Sequence, residues 1–171
     1  MDKVKVSQDI LYGFLKEHNV TKVVIAQRMG VSESIVGGCF RHALNRHGKP
    51  LSFSAKNIVK LNEALQMIAS ELRQCVITFG SDDFKTNKHG STYVPSALEG
   101  FRKLGTYFNV TKLTNRVLGW NESKRTMILS CKSSITKGNI TADDVNRINA
   151  EILSVAGVLD CYEVVADGDV K

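Results

Sequence analysis

The chain has 171 residues, 43% of them hydrophobic, with only two prolines and a net charge of +6 from 23 basic against 17 acidic side chains. That length holds one ordinary domain or two very small ones, and the composition is that of a chain that folds around a buried core. No stretch is long and apolar enough to cross a bilayer and MDKVKVSQD lacks a signal peptide's apolar stretch, so the expectation is a soluble, unexported, cytoplasmic protein with no membrane partner.

Ser7 stands before Ile10, Leu11, Phe14 and Leu15, which recur at helical spacing, and with Asp9 it forms a cap region for a first helix. Thr21 precedes a short helix through Met29, and Gly30 ends it in the left-handed conformation that glycine adopts without penalty. Ser32 caps the next helix. Beyond a loop containing GKPLS, Ser54 opens a long helix with one apolar stripe: Ile58, Leu61, Leu65, Ile68, Ala69 and Leu72. CVITF at 75–79 is rich in β-branched and aromatic residues and reads as a strand, although it also fits a continuation of the helix before it. Residues 80–96, GSDDFKTNKHGSTYVPS, are polar and turn-rich, which marks a linker over 81–94 with Pro95 close to the next helix start. CYEVV at 161–165 has the strand character again. A lone strand needs a neighbour for its backbone groups, so the two segments are expected to pair with each other.

The second half repeats the first. DILYGFLK at 9–16 answers SALEGFRK at 96–103, NVTK at 19–22 recurs at 109–112, GVSES at 30–34 answers GWNES at 119–123, and SAKNIVKLNEAL at 54–65 answers TADDVNRINAEI at 141–152. The offset drifts only from 87 to 90 residues. The expected organisation is a mainly α chain of two duplicated modules, residues 1–80 and 95–171, each ending in a short strand. Residues 1–80 carry 11 Lys+Arg against 6 Asp+Glu, and residues 81–171 carry 12 against 11, so the basic surplus lies in the first half and suits a polyanionic partner.

Cys39, Cys75, Cys131 and Cys161 are widely spread with no CxxC pair, and read as reduced. Cys39, His42 and His47 match no zinc spacing, and the chain has no glycine-rich phosphate loop or ordered Ser/His/Asp set. No metal, cofactor or enzymatic activity is expected.

Within AQRMGVSESIVGGC, residues 26–39, Ala26 leaves room for a second helix to cross closely and Gly30 permits a sharp turn. Val31, Val36 and Cys39 return apolar groups to the core beside Ile25 and Met29. The helix so held presents an outer face of the diameter that enters a DNA major groove. Residues 7–72 resemble the helix-turn-helix family of phage Cro and lambda-type repressors, through IAQRMGVSESIV, the GKPLS loop and AKNIVKLNEAL. The resemblance implies a recognition helix that begins with Ser32, Glu33 and Ser34 at base edges and turns Gly37 and Gly38 outward. It also implies a base or phosphate contact at Arg41, phosphate contacts at Asn45, Arg46, His47 and Lys49, and a further contact at Gln27. Plainer readings stand beside these: Ser32 and Ser34 only cap a helix, Glu33 makes a capping interaction, and Arg46 and Lys49 belong to a solvated loop.

The second half departs from the pattern. Ala26 is answered by Asn115 or Thr114, Val36 by Arg125 or Thr126, and Val31 by Trp120. Asn121, Ser123, Lys124, Arg125, Lys132 and Lys137 nevertheless gather around the corresponding helix and are candidate DNA contacts. The implied function is a sequence-specific transcriptional regulator of phage or mobile-element type, such as a repressor, acting on double-stranded DNA in a bacterial cell or phage-infected host, as a homodimer or an internal pseudo-dimer. The alternative is a non-enzymatic protein-interaction module: an anti-repressor, polymerase-binding or assembly factor. The departures in the second half and the acidic end DCYEVVADGD favour that alternative.

Overall fold

Side chains begin the helices where the sequence supplies them. In a computed structural model that describes residues 2–86, 90, 92–119 and 140–166, Ser7 Oγ accepts from the Ile10 amide (3.2 Å) at the head of α1, Gln8–Glu17. Thr21 Oγ1 accepts from Val24 (3.4 Å) before α2, Lys22–Met29, and Ser32 Oγ from Ile35 (3.2 Å) before α3, Glu33–Phe40. Ser54 Oγ accepts from Asn57 (3.2 Å) before α4, Ala55–Arg73. Each bond satisfies one of the amides that a first helical turn leaves unpartnered, typically about 1 kcal/mol apiece. Gly30 closes α2 at φ 73°, where its amide and that of Val31 fold back to the carbonyls around Ala26.

The chain is mainly helical with short strands, and it forms two compact units: residues 1–71 with 155–171, and residues 72–154. Among the described residues no helix is long and apolar enough to cross a membrane.

In the first unit Leu61, Leu65, Ile68 and Ala69 of the α4 stripe are buried at 0% exposure as their spacing predicts, while Ile58 at its start is only partly covered. Buried with that stripe are Val24, Ile25, Ala26 and Met29 of α2 and Val36, Cys39 and Phe40 of α3. Phe40 stacks on Tyr12 at 4.9 Å between centroids and meets Phe53 edge-on at 5.0 Å. The first helix differs from the expected stripe. Ile10 is 54% exposed, while Gln8 is buried, because its amide donates to Cys39 O (2.7 Å) and accepts from Phe53 N (3.1 Å). A buried polar group is tolerated when both its functions are used, as here.

The strands also differ from expectation. CYEVV supplies β4, Tyr162–Val164, but its partner is β1, Val4–Val6, in parallel, with Val4 opposite Tyr162 and Val6 opposite Val164. CVITF forms no strand. In the second unit both backbone groups of Ile77 are taken instead by one side chain, Asn149, at 2.7 Å each, so no ladder is needed.

Among the described residues the second unit also has a 3-10 turn, Ser81–Asp83; a hairpin of β2, Lys85–Thr86, and β3, Thr92–Tyr93; α5, Pro95–Leu104; α6, Val110–Leu118; and the start of α7, Ala142–Cys161. The hairpin lies within the stretch expected as linker. Pro95 sits in the first turn of α5, where its missing amide costs nothing. Thr141 and Asp144 cap α7 reciprocally at 3.0 and 3.1 Å, which accounts for the burial of Asp144.

The two units are not the two sequence halves, because residues 155–171 belong with 1–71. The acidic end therefore joins the first unit, which then carries 11 Lys+Arg against 10 Asp+Glu, while residues 72–154 carry 12 against 7. The surplus of positive charge lies in the second unit, not in the first as the division by halves gave.

Candidate nucleic-acid interface

α2 and α3 meet at Gly30 with their inward faces packed, which leaves the outward side of α3 open. Arg28 fixes α2 to α4: its guanidinium donates to both carboxylate oxygens of Glu71, at 2.9 Å from Nε and 2.7 Å from Nη2. This two-pronged geometry is the strong form of an ion pair. Gln8 holds one carbonyl in the last turn of α3 through its bond to Cys39 O. Just beyond, His42 at φ 51° has Nδ1 2.9 Å from Leu51 O and Nε2 2.8 Å from Asp9 Oδ1. Both partners only accept, so the ring makes both bonds when both nitrogens carry protons.

On the open side Lys22, Glu33, Ser34, Gly37 and Arg41 line a single concavity of about 250 Å³. Four of these were expected as contacts, and the structure brings them together: Glu33, Ser34, Gly37 and Arg41. Lys22 is the addition. It is the first residue of α2, and its side chain lies across Gly37: a Cβ at Gly37 would stand 3.2 Å from Lys22 Nζ and 3.6 Å from its Cδ. The sequence signal was a cation at the start of the helix before the turn, ten residues ahead of Ser32.

The other expected contacts lie elsewhere or have defined structural tasks. Ser32 is the α3 cap. Gly37 and Gly38 are both buried, not outward: Lys22 covers the first, and a Cβ at the second would touch Leu51 Cδ1 at 3.4 Å. Gln27 is exposed but borders a different groove, with Arg28, Gln66, Met67, Ser70 and Glu71 between α2 and α4. Asn45 staples its loop, since Oδ1 accepts from the amides of His47 (2.8 Å) and Lys49 (3.0 Å). Arg46, His47 and Lys49 remain exposed at the tip of that loop, whose stem is the Leu44–Pro50 bridge. Asn121, Ser123, Lys124, Arg125, Lys132 and Lys137 lie outside the described residues.

Burial raises the Cys39 thiol above its ordinary pKa. Only the thiolate is a good nucleophile, so iodoacetamide is expected to spare Cys39 in the folded chain and to modify it on unfolding, as peptide mapping would detect. Gly38→Ala is expected to raise stability by up to about 1 kcal/mol, the helix-propensity gain, since the one atom near the new methyl, Leu51 Cδ1 at 3.4 Å, is at ordinary contact distance. A urea titration measures it.

In the second unit, α6 begins in the repeated NVTK stretch. Leu113, Thr114 and Leu118 are its buried residues, so of the two residues that the sequence sets against Ala26 it is Thr114, not Asn115, that is buried, and its hydroxyl donates to Val110 O at 2.7 Å. Gly119 follows α6 at φ 78° and ψ 168°, a different conformation from the left-handed turn (φ 73°, ψ 29°) in which Gly30 ends α2. Arg116 pairs with Glu151 at 2.9 Å, tying α6 to α7.

No protein-family model, curated protein or solved structure matches the chain.

Proposed function

We propose that the chain is a non-enzymatic, sequence-specific DNA-binding regulator whose first unit meets the duplex with the outward side of α3. The observation that carries this proposal is the concavity that Lys22 and Arg41 line together with Glu33, Ser34 and Gly37. The two cations suit phosphate or a guanine edge, the hydroxyl suits either a base or phosphate, and the carboxylate accepts from a cytosine amine. Arg46 and Lys49, exposed on the loop that follows α3, add phosphate-seeking charge. The resemblance to Cro and lambda-type repressors agrees with this use of the surface. A second, similar module in one chain favours a two-part operator, because binding of the first raises the effective concentration of the second.

Selection of bound duplexes from a random pool, followed by a salt titration of the winner, tests the proposal. If Lys22, Arg41, Arg46 and Lys49 each neutralise a phosphate, log Kd against log salt is expected to have a slope of about 4 in magnitude. No enrichment, or a flat salt profile, would count against it.

A second proposal, protein interaction, is favoured by Ile35 and Leu44, exposed by 46% and 69% on and after α3, and by the near-neutral charge of the first unit. Salt-insensitive capture of a protein partner, lost on Ile35→Ser with Leu44→Ser, is its expected signature.

A further inference from the structure

Asn62, within α4, donates from Nδ2 to Val164 O (2.9 Å) and accepts at Oδ1 from Val164 N (2.8 Å). Asn149, within α7, does the same to Ile77, at 2.7 Å for both bonds. A side-chain amide that meets both backbone groups of one residue acts as a one-residue strand partner. The two asparagines are 87 positions apart, and so are the two residues they hold. Unrelated contacts have no reason to share a spacing; one site occurring twice has.

The occupant is exchanged in each case. α4 carries Asn62 and runs on to Ile77, which is held in the second unit; α7 carries Asn149 and runs on to Val164, which is held in the first. We infer that each unit contains one copy of the same slot for an extended segment, bound through its backbone, and that the two sequence halves fill each other's slots. The ligand class is a short extended stretch centred on a β-branched residue: Val76, Ile77 and Thr78 in one slot, Glu163, Val164 and Val165 in the other. Ile77 and Val164 are both buried, at 5% and 1% exposure. The consequence is a reciprocal latch. Releasing Ile77 frees the end of the helix that carries Asn62, and releasing Val164 frees the end of the helix that carries Asn149, so the two slots open together. The latch does not depend on DNA binding.

Amide hydrogen exchange on the full chain carrying Asn149→Asp tests it. Aspartate keeps the acceptor for Ile77 N–H but puts a carboxylate oxygen opposite Ile77 O, where a donor stood. Exchange at the Ile77 amide is expected to accelerate by at least about tenfold, and at the Val164 amide by a comparable factor; Asn62→Asp is expected to give the mirror result. Acceleration confined to the altered slot would overturn the latch, and no acceleration at either would overturn the clamp. If these variants do not fold, the unaltered chain in rising sub-denaturing urea decides: one shared opening free energy and urea dependence for the Ile77 and Val164 amides supports the latch, and separate ones overturn it.

Discussion

Alanine at Gly100 is expected to destabilise the chain by about 1–3 kcal/mol, whereas alanine at Gly13 is expected to stabilise it by up to about 1 kcal/mol. The two glycines are 87 positions apart in the matching stretches DILYGFLK and SALEGFRK, and both lie inside helices, α5 and α1. Their surroundings decide the sign. A Cβ at Gly100 would stand 2.5 Å from Ile77 Cγ1 and 3.0 Å from its Cδ1, whereas a Cβ at Gly13 meets nothing within 4 Å. Ile77 is buried, β-branched and held at both backbone groups by Asn149, so it has little freedom to yield. At Gly13 only the helix-propensity term remains, and it favours alanine. Urea midpoints at unchanged m measure both effects. Ile77→Ala in the Gly100→Ala background is expected to cost less than the sum of the two single changes, because it removes the collision. Strict additivity would mean that the loss arises elsewhere than at this contact.

The beginnings of helices were legible because a cap is a local affair: Ser7, Thr21, Ser32 and Ser54 each bond an amide three residues on. The buried stripe of α4 was legible for the same reason, as periodicity along one element. What depended on distant partners was not. The repeated NVTK is instructive: Thr21 caps α2, but α6 is capped by Asn109, whose Oδ1 accepts from Lys112 N at 3.1 Å, and Thr111 lies inside that helix. Identical tetrapeptides thus do different work, and the caps are 88 positions apart although the tetrapeptides are 90 apart. CVITF and CYEVV look alike through their cysteines, yet the clamped residues, Ile77 and Val164, show that the equivalent register is shifted by one. Strand character could not reveal that an asparagine would replace the ladder at Ile77. At the candidate interface, Glu33, Ser34 and Arg41 could be picked from one helix and its end. Lys22 could not, because its place over Gly37 depends on how α2 crosses α3.

That crossing gives Gly37 a task and a sharp test. Gly37→Ala is expected to leave the fold intact and raise stability by up to about 1 kcal/mol, since a helix-interior glycine is disfavoured by that amount and the atom it crowds, Lys22 Nζ at 3.2 Å, ends a flexible side chain. The same change is expected to weaken binding to a selected duplex about tenfold, because the new methyl displaces Lys22 and fills the floor of the concavity. Lys22→Ala is expected to weaken binding uniformly across sequences and lower the salt slope by about 1, the behaviour of a phosphate contact. Arg41→Ala is expected to cost about 1–3 kcal/mol of affinity and relax preference at one position if its guanidinium meets a guanine edge. With both cations removed the loss is expected to reach about a hundredfold or more, near the sum of the two free energies if they touch separate groups on the DNA. Fluorescence anisotropy on the selected duplex at two salt concentrations, with urea melts of the same preparations, separates the outcomes. A Gly37→Ala chain that is more stable and binds as tightly as the original would remove Lys22 and the concavity from the interface; equal affinity in the Lys22→Ala, Arg41→Ala double variant would remove this face of α3 from DNA binding.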